Sequence, residues 1–83
     1  MITIGMVAPL SQIVDECKAG NVPAKSIALT YAFAIRQEPK ADYGEANMAI
    51  CKRFKTDKDP TGMKALERIK NLAWAYVEGR KKP

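Results

Sequence analysis

The residues of this chain that could best do chemistry are basic, and they gather in its C-terminal half. Positions 50–83 carry ten basic and four acidic residues, a net charge of +6, whereas positions 1–49 carry four basic and five acidic residues. A basic stripe attracts nucleic-acid phosphates by releasing their counterions. Lys64, Arg68 and Asn71 recur at helical spacing, which places them on one face of a helix. Because arginine and asparagine are types that read base edges, this face is a candidate recognition surface.

Two interpretations of the basic residues stay open. In the first, the end of the third predicted helix, the loop after it and the fourth helix bind DNA or RNA. The candidate residues of this interface are Lys52, Arg53, Lys55, Lys64, Arg68, Asn71, Arg80 and Lys81. In the second, the lysines and arginines complement helix dipoles and keep the protein soluble. Glu67 and Glu78 interrupt the basic stripe, which favours the second interpretation.

A different functional class is a protein–protein interaction module. Aromatic residues dominate binding hot spots, so Trp74 and Tyr76, together with Met63, predict an apolar patch left outside the core. Such a module would be a homodimer, or a small inhibitor or adaptor of the type that phages and mobile elements encode. The competing interpretation is that these side chains belong to the core, where aromatic residues and methionine commonly fill space.

Several kinds of site are disfavoured by residue types that the sequence lacks. With no histidine, the chain has neither the usual general base nor an imidazole metal ligand. Cys17 and Cys51 are the only cysteines, too few for a structural zinc site, and we expect them to be reduced thiols of a cytoplasmic protein. No Gly-rich phosphate loop is present. The sequence therefore predicts a protein that is not an enzyme and that binds no metal, cofactor or small-molecule substrate.

The hydropathy pattern also argues against a membrane protein. No run of 18 apolar residues occurs, so we expect no membrane span, and the N-terminal residues lack the pattern of a signal peptide. At 83 residues, the chain has room for one domain with one core.

Apolar periodicity predicts an all-α fold, a compact bundle of about four short helices in a single domain spanning 1–83. An alternative is three main helices with a docked N-terminal turn. We predict an arm at 1–8, helices at 9–19 and 23–37, and a basic tail at 80–83. A third helix is predicted to begin at Asp42, which would form a capping box with Glu45. A fourth helix is predicted to be capped by Asp59 or Thr61. The helix over 23–37 is apolar almost all round, which predicts a central helix buried on every side.

Overall fold

Four α-helices account for most of residues 9–79, the part of the chain that the computed structural model describes. They are α1 (Pro9–Ala19), α2 (Ala24–Gln37), α3 (Gly44–Phe54) and α4 (Met63–Gly79). Within 9–79 there is no strand, and the backbones of Thr56 and Asp59 form one isolated antiparallel bridge before α4. The predicted all-α bundle of four helices is confirmed. The predicted arm at 1–8 and basic tail at 80–83 lie outside the described residues.

The helices are arranged as two pairs. α1 lies beside α3 and α2 lies beside α4, while α1–α2 and α3–α4 contacts join the pairs. Ala24 shares a groove with Ala65 and Leu72, and Arg36 reaches the backbone of Tyr76, so α2 and α4 run in the same direction. The α1–α3 pair and the α2–α4 pair therefore turn their outer surfaces to opposite sides of the bundle.

The core lies between the two pairs, and α2 contributes most to it. Ile13, Ile27 and Ile50 are the largest fully buried side chains. The buried residues of α2 are Ile27, Ala28, Tyr31, Ala32, Ala34 and Ile35. Leu29 and Phe33 of the same helix are nevertheless exposed, so the prediction that this helix is buried on every side is wrong. The reason is that α1 and α4 cover only part of its circumference.

Tyr31 joins α2 to α3 through a partly buried polar contact. Its hydroxyl donates a hydrogen bond of 2.7 Å to Asn47 Oδ1, and its ring stacks on Tyr43 with centroids 5.3 Å apart. The Tyr43 hydroxyl in turn donates to the carbonyl of Glu38, 2.7 Å away. This cluster fixes the start of α3 against the end of α2.

The Tyr31 hydroxyl makes the stability of the folded protein depend on pH in the alkaline range. Burial, with a smaller contribution from Tyr43, raises the pKa of Tyr31 to about 12. The pKa of a tyrosine in an unfolded chain is about 10, so the folded state holds the Tyr31 proton more tightly than the unfolded state does. The stabilisation from this proton is therefore lost as pH rises from the unfolded pKa through the folded pKa. We expect a loss on the order of 2 kcal/mol from this group over that interval.

Urea unfolding of wild type and Tyr31→Phe across alkaline pH measures this loss. Near neutral pH the variant should be less stable by about 1 kcal/mol, because Asn47 loses its donor. Above about pH 10 the difference should shrink, since phenylalanine has no proton to release. A constant difference up to about pH 12 would contradict the assignment.

The starts of α3 and α4 differ from the predicted caps. Tyr43, not Asp42, occupies the N-cap position of α3, and it makes no side-chain capping bond. Asp42 Oδ1 instead accepts the N–H of Gly44 at 2.9 Å, as Asp does when its side chain bonds the backbone two residues on. The predicted capping box is therefore wrong by one residue.

At α4 the helix begins at Met63, later than the predicted caps imply. The Thr56–Asp59 bridge and the positive φ of Gly62 hold the intervening residues in turns. Thr61 Oγ1 accepts the N–H of Met63 at 3.3 Å. The Asp59 carboxylate reaches further, to the N–H groups of the first turn, so both predicted residues assist the helix start from outside it.

Candidate binding surfaces

The outer face of α4 carries three of the predicted nucleic-acid-binding residues. Lys64, Arg68 and Asn71 are all exposed there, as their helical spacing predicted. Glu67, three residues after Lys64 and four before Asn71, lines one groove together with both of them, so an acidic residue borders this face. We call Lys64, Arg68 and Asn71 the α4 polar face.

The other predicted basic residues lie elsewhere. Lys52 lines the groove between α1 and α3 beside Lys18. Lys55 borders a shallow depression in the loop before α4. Arg80 and Lys81 lie outside the described residues. Lys52 and Lys55 are thus exposed, but neither borders a groove that contains a residue of the α4 polar face.

The Arg53 side chain is partly buried and makes contacts within the fold. Its guanidinium donates a hydrogen bond of 3.1 Å to the carbonyl of Val22 and lies 4.8 Å from the centre of the Phe54 ring. Its Nε is buried without a hydrogen-bond partner. The side chain thereby ties the end of α3 to the turn between α1 and α2, a role that the sequence pattern did not predict.

Two of the three residues predicted for a protein interface share a groove. Met63 and Trp74, with 57 and 48% of their surface exposed, line a shallow groove along α4 with Leu66 between them. Tyr76 is half-buried, and its carbonyl accepts a hydrogen bond from Arg36 of α2. The structure therefore brings Met63 and Trp74 together and leaves Tyr76 on the side of α4 that faces α2.

A second exposed apolar surface lies on that side. Leu29, Phe33 and Arg36 follow one another at helical spacing on α2, and the bond from Arg36 Nη2 to the Tyr76 carbonyl (3.3 Å) shows that this stripe borders α4. Leu72 lies one turn before Tyr76 on the facing flank of α4. Leu29, Phe33 and Leu72 have 49, 48 and 38% of their surface exposed. We call these three residues the α2–α4 seam.

The charges around the α2–α4 seam are mostly basic. α2 contains Lys25 and Arg36 and no acidic residue. At the start of the seam, an apolar groove between α2, α3 and α4 contains Leu72, and its only charged residue is Arg68. On the α1 side, the Glu16 carboxylate accepts a hydrogen bond of 3.0 Å from Thr30, the residue after Leu29. The seam is therefore an apolar strip whose rim is cationic except at this edge.

This chain matches no protein-family model, no curated protein and no solved structure. None of the helices within 9–79 is long and apolar enough to cross a membrane. Nor does that part of the chain hold a group of three or more Cys, Asp or Glu side chains placed to bind a metal ion.

The cysteines give no support for covalent chemistry. Cys17 is buried, and that burial raises the pKa of its thiol, with Arg53 opposing the shift. Such a thiol stays protonated and is a poor nucleophile. The Cys51 sulfur lies 3.8 Å from that of Met63, which is an ordinary packing contact.

Sequence reasoning missed the α2–α4 seam, although its signal was present. The second helix is apolar around nearly its whole circumference, more than two packing neighbours can cover in a bundle of this size. An excess of apolar residues on one helix indicates either complete burial or a surface left for a partner.

Proposed function

We propose that this protein is a non-enzymatic binding module whose α2–α4 seam takes up a segment of a protein partner. The observation that carries the proposal is the seam itself: Leu29 and Phe33 of α2 and Leu72 of α4 are each exposed by a third or more, and the two helices pack against each other. Burying half of such a side chain contributes on the order of 1 kcal/mol. Three such side chains contribute about 3 kcal/mol, and contacts around them must add to this to offset the cost of association.

The groove that contains Met63 and Trp74 is the other place where apolar side chains remain open. It is edged by Glu67, Lys64 and Lys70, so its charge is mixed, whereas three cations and one acid, Glu16, surround the α2–α4 seam. A surface of mainly one sign selects its partner more sharply, because like-charged partners are repelled. For that reason we place the primary contact at the seam. A cytoplasmic inhibitor or adaptor of the phage or mobile-element type is the kind of protein we propose.

Photo-crosslinking in living cells tests the seam directly. A benzophenone amino acid at Phe33 should yield discrete cross-linked polypeptides. The same probe at Met48 should not, because Met48 is exposed on α3 and lines neither the seam nor a groove. Leu29→Ser with Leu72→Ser should remove the Phe33 products while lowering stability by only about 1 kcal/mol per site. Equal labelling from Phe33 and Met48 would refute the proposal.

Nucleic-acid binding is the second candidate function, favoured by the exposure of Lys64, Arg68 and Asn71 on one helix face. The interleaved Glu67 and the inward-turned Arg53 weaken it relative to the first. If it is correct, fluorescence anisotropy with duplex DNA and single-stranded RNA should show binding that falls steeply with added salt.

The decisive comparison uses two charge-matched variants. Lys64→Glu with Arg68→Glu should abolish the binding, while Lys18→Glu with Lys40→Glu, which changes the net charge equally at exposed sites away from α4, should leave most of it. Equal losses in the two variants would mean that only the overall charge attracts the nucleic acid.

A further inference from the structure

We infer that the partner at the α2–α4 seam is a second copy of this chain, which docks the acidic end of its α1–α3 groove there. The inference rests on the proposed function of the seam as a protein-binding surface. Its starting observation is that the two helix pairs present complementary surfaces on opposite sides of one molecule.

The groove between α1 and α3 is apolar at its base and acidic at its edge. Its base is formed by Leu10, Val14 and Ala46, which pack on or belong to the core, and its edge carries Asp15, Asp42 and Glu45. Lys18 is the one basic residue that lines it. Asp15 and Glu45 are exposed, so their carboxylates are free to meet a partner.

The seam and the groove are complementary in both hydrophobic shape and charge. The seam offers protruding apolar side chains with Lys25, Arg36 and Arg68 around them. The groove offers a recessed apolar base with three carboxylates around it. Leucine and phenylalanine side chains would enter the groove, and the cations of one copy would meet the acids of the other. Such complementarity steers association and fixes its register.

Pairing of two identical seams is disfavoured by the same charges. A two-fold symmetric contact at the seam would bring Lys25, Arg36 and Arg68 of one copy against the same residues of the other. Like charges facing each other in an interface oppose its formation. An acidic counterpart is needed, and the α1–α3 groove supplies it on the opposite side of the molecule.

The other end of the groove limits how the copies can align. Beyond Lys18 it becomes basic, with Lys52 at its edge. A cationic seam is repelled there, so only the acidic end accepts it. Because the seam and the groove lie on opposite sides, every copy added leaves one free seam and one free groove. The association is therefore head-to-tail and continues past the dimer.

Analytical ultracentrifugation of the full chain from micromolar to millimolar concentration tests the inference. The weight-average mass should rise to at least double the 9.2 kDa monomer, without a plateau at the dimer. Added salt should reduce it, because the contacts between exposed charges are screened. A protein that stays monomeric at millimolar concentration and low salt would overturn the inference.

Two variants with reversed charges locate the contact. Lys25→Glu with Arg68→Glu reverses the seam, and Asp15→Lys with Glu45→Lys reverses the groove; each variant alone should be monomeric. Mixed together they should form heterodimers or longer alternating chains. The acidic groove of the first variant meets the cationic seam of the second, and their two reversed surfaces also carry opposite charges. Lys40→Glu with Lys58→Glu is the control, since neither lysine lines the seam or the groove, and it should associate like wild type.

The outcomes also separate this inference from the proposed function. Circular dichroism and thermal unfolding first establish that the variants are folded. Wild-type association without hetero-association in the mixture would show that another surface is responsible, and the inference fails. A monomeric protein whose Phe33 probe cross-links a different polypeptide would refute self-association and leave the proposed function standing. Absence of any Phe33 product would remove both.

Discussion

Replacing Gly62 by alanine is expected to lower the free energy of unfolding by about 2 to 5 kcal/mol. Gly62 has a φ of +75°, which disfavours any residue with a Cβ atom. A Cβ at this position would overlap the backbone of Cys51 in α3. Since backbone atoms cannot move aside by changing rotamer, α3 and α4 would have to separate. Domains of this size are stable by only about 5 to 15 kcal/mol, so a substantial unfolded fraction is expected at elevated temperature.

Gly20→Ala is the matched control for this prediction. Gly20 also has a positive φ, of +83°, but the nearest atom to an added Cβ would be the Lys18 carbonyl oxygen at 4.0 Å. The variant therefore incurs only the conformational term, about 1 to 2 kcal/mol. Urea unfolding of both variants measures the difference. Equal losses would show that the close approach of α4 to α3 is unimportant for stability.

The helices were predictable because their signals are local. Pro9 and Gly20 bracket α1, and Pro39 follows α2, so residues with fixed conformational preferences mark these boundaries. The buried residues of α1 and α4 recur at helical spacing, as the apolar periodicity of an amphipathic helix predicts. The errors at Asp42 and Asp59 are small shifts along the chain, which arise because a carboxylate can reach N–H groups beyond the residue that follows it.

The surfaces were harder to predict because they depend on how helices are placed beside one another. Nothing local distinguishes Leu29 from Ile27, since both are aliphatic residues in an apolar helix, yet one is exposed and the other fully buried. The difference follows from the positions of α1 and α4 around α2. Arg53 was similarly counted among the surface cations, because the Val22 carbonyl that accepts its hydrogen bond lies 31 residues earlier in the chain.

The charged residues are distributed differently over the folded surface than along the chain. Along the chain it divides an acidic N-terminal part from a basic C-terminal part. In the fold, Lys25 and Arg36 from the first part join Arg68 from the second around the α2–α4 seam. Acidic residues that are adjacent only in space, Asp15 and Glu45, edge the opposite side. Counting charges by sequence segment therefore pointed to the end of α3, the loop after it and α4, whereas the helix pairs create two surfaces of mainly opposite sign.

Removal of the Asp59 carboxylate is expected to lower the free energy of unfolding by about 2 to 3 kcal/mol. Asp59 is buried, and its two carboxylate oxygens accept the N–H groups of Lys64 and Ala65 at 3.3 and 3.0 Å. These donors belong to the first turn of α4 and have no partner within the helix. The negative charge also faces the positive end of the dipole of the longest helix. In Asp59→Ala the Ala65 N–H would be left buried and unpaired.

A series of substitutions separates the hydrogen bonds from the charge. Asp59→Asn keeps one acceptor oxygen and loses the charge, so its loss should be intermediate, about 1 to 2 kcal/mol. Asp57→Ala, at an exposed position of the same loop, should stay within about 0.5 kcal/mol of wild type. Hydrogen exchange of the Lys64 and Ala65 amides should accelerate in Asp59→Ala before the rest of α4 opens, because the first turn then frays alone. If those amides remained protected while global stability fell, the carboxylate would act through the Thr56–Asp59 loop and not as the cap of α4.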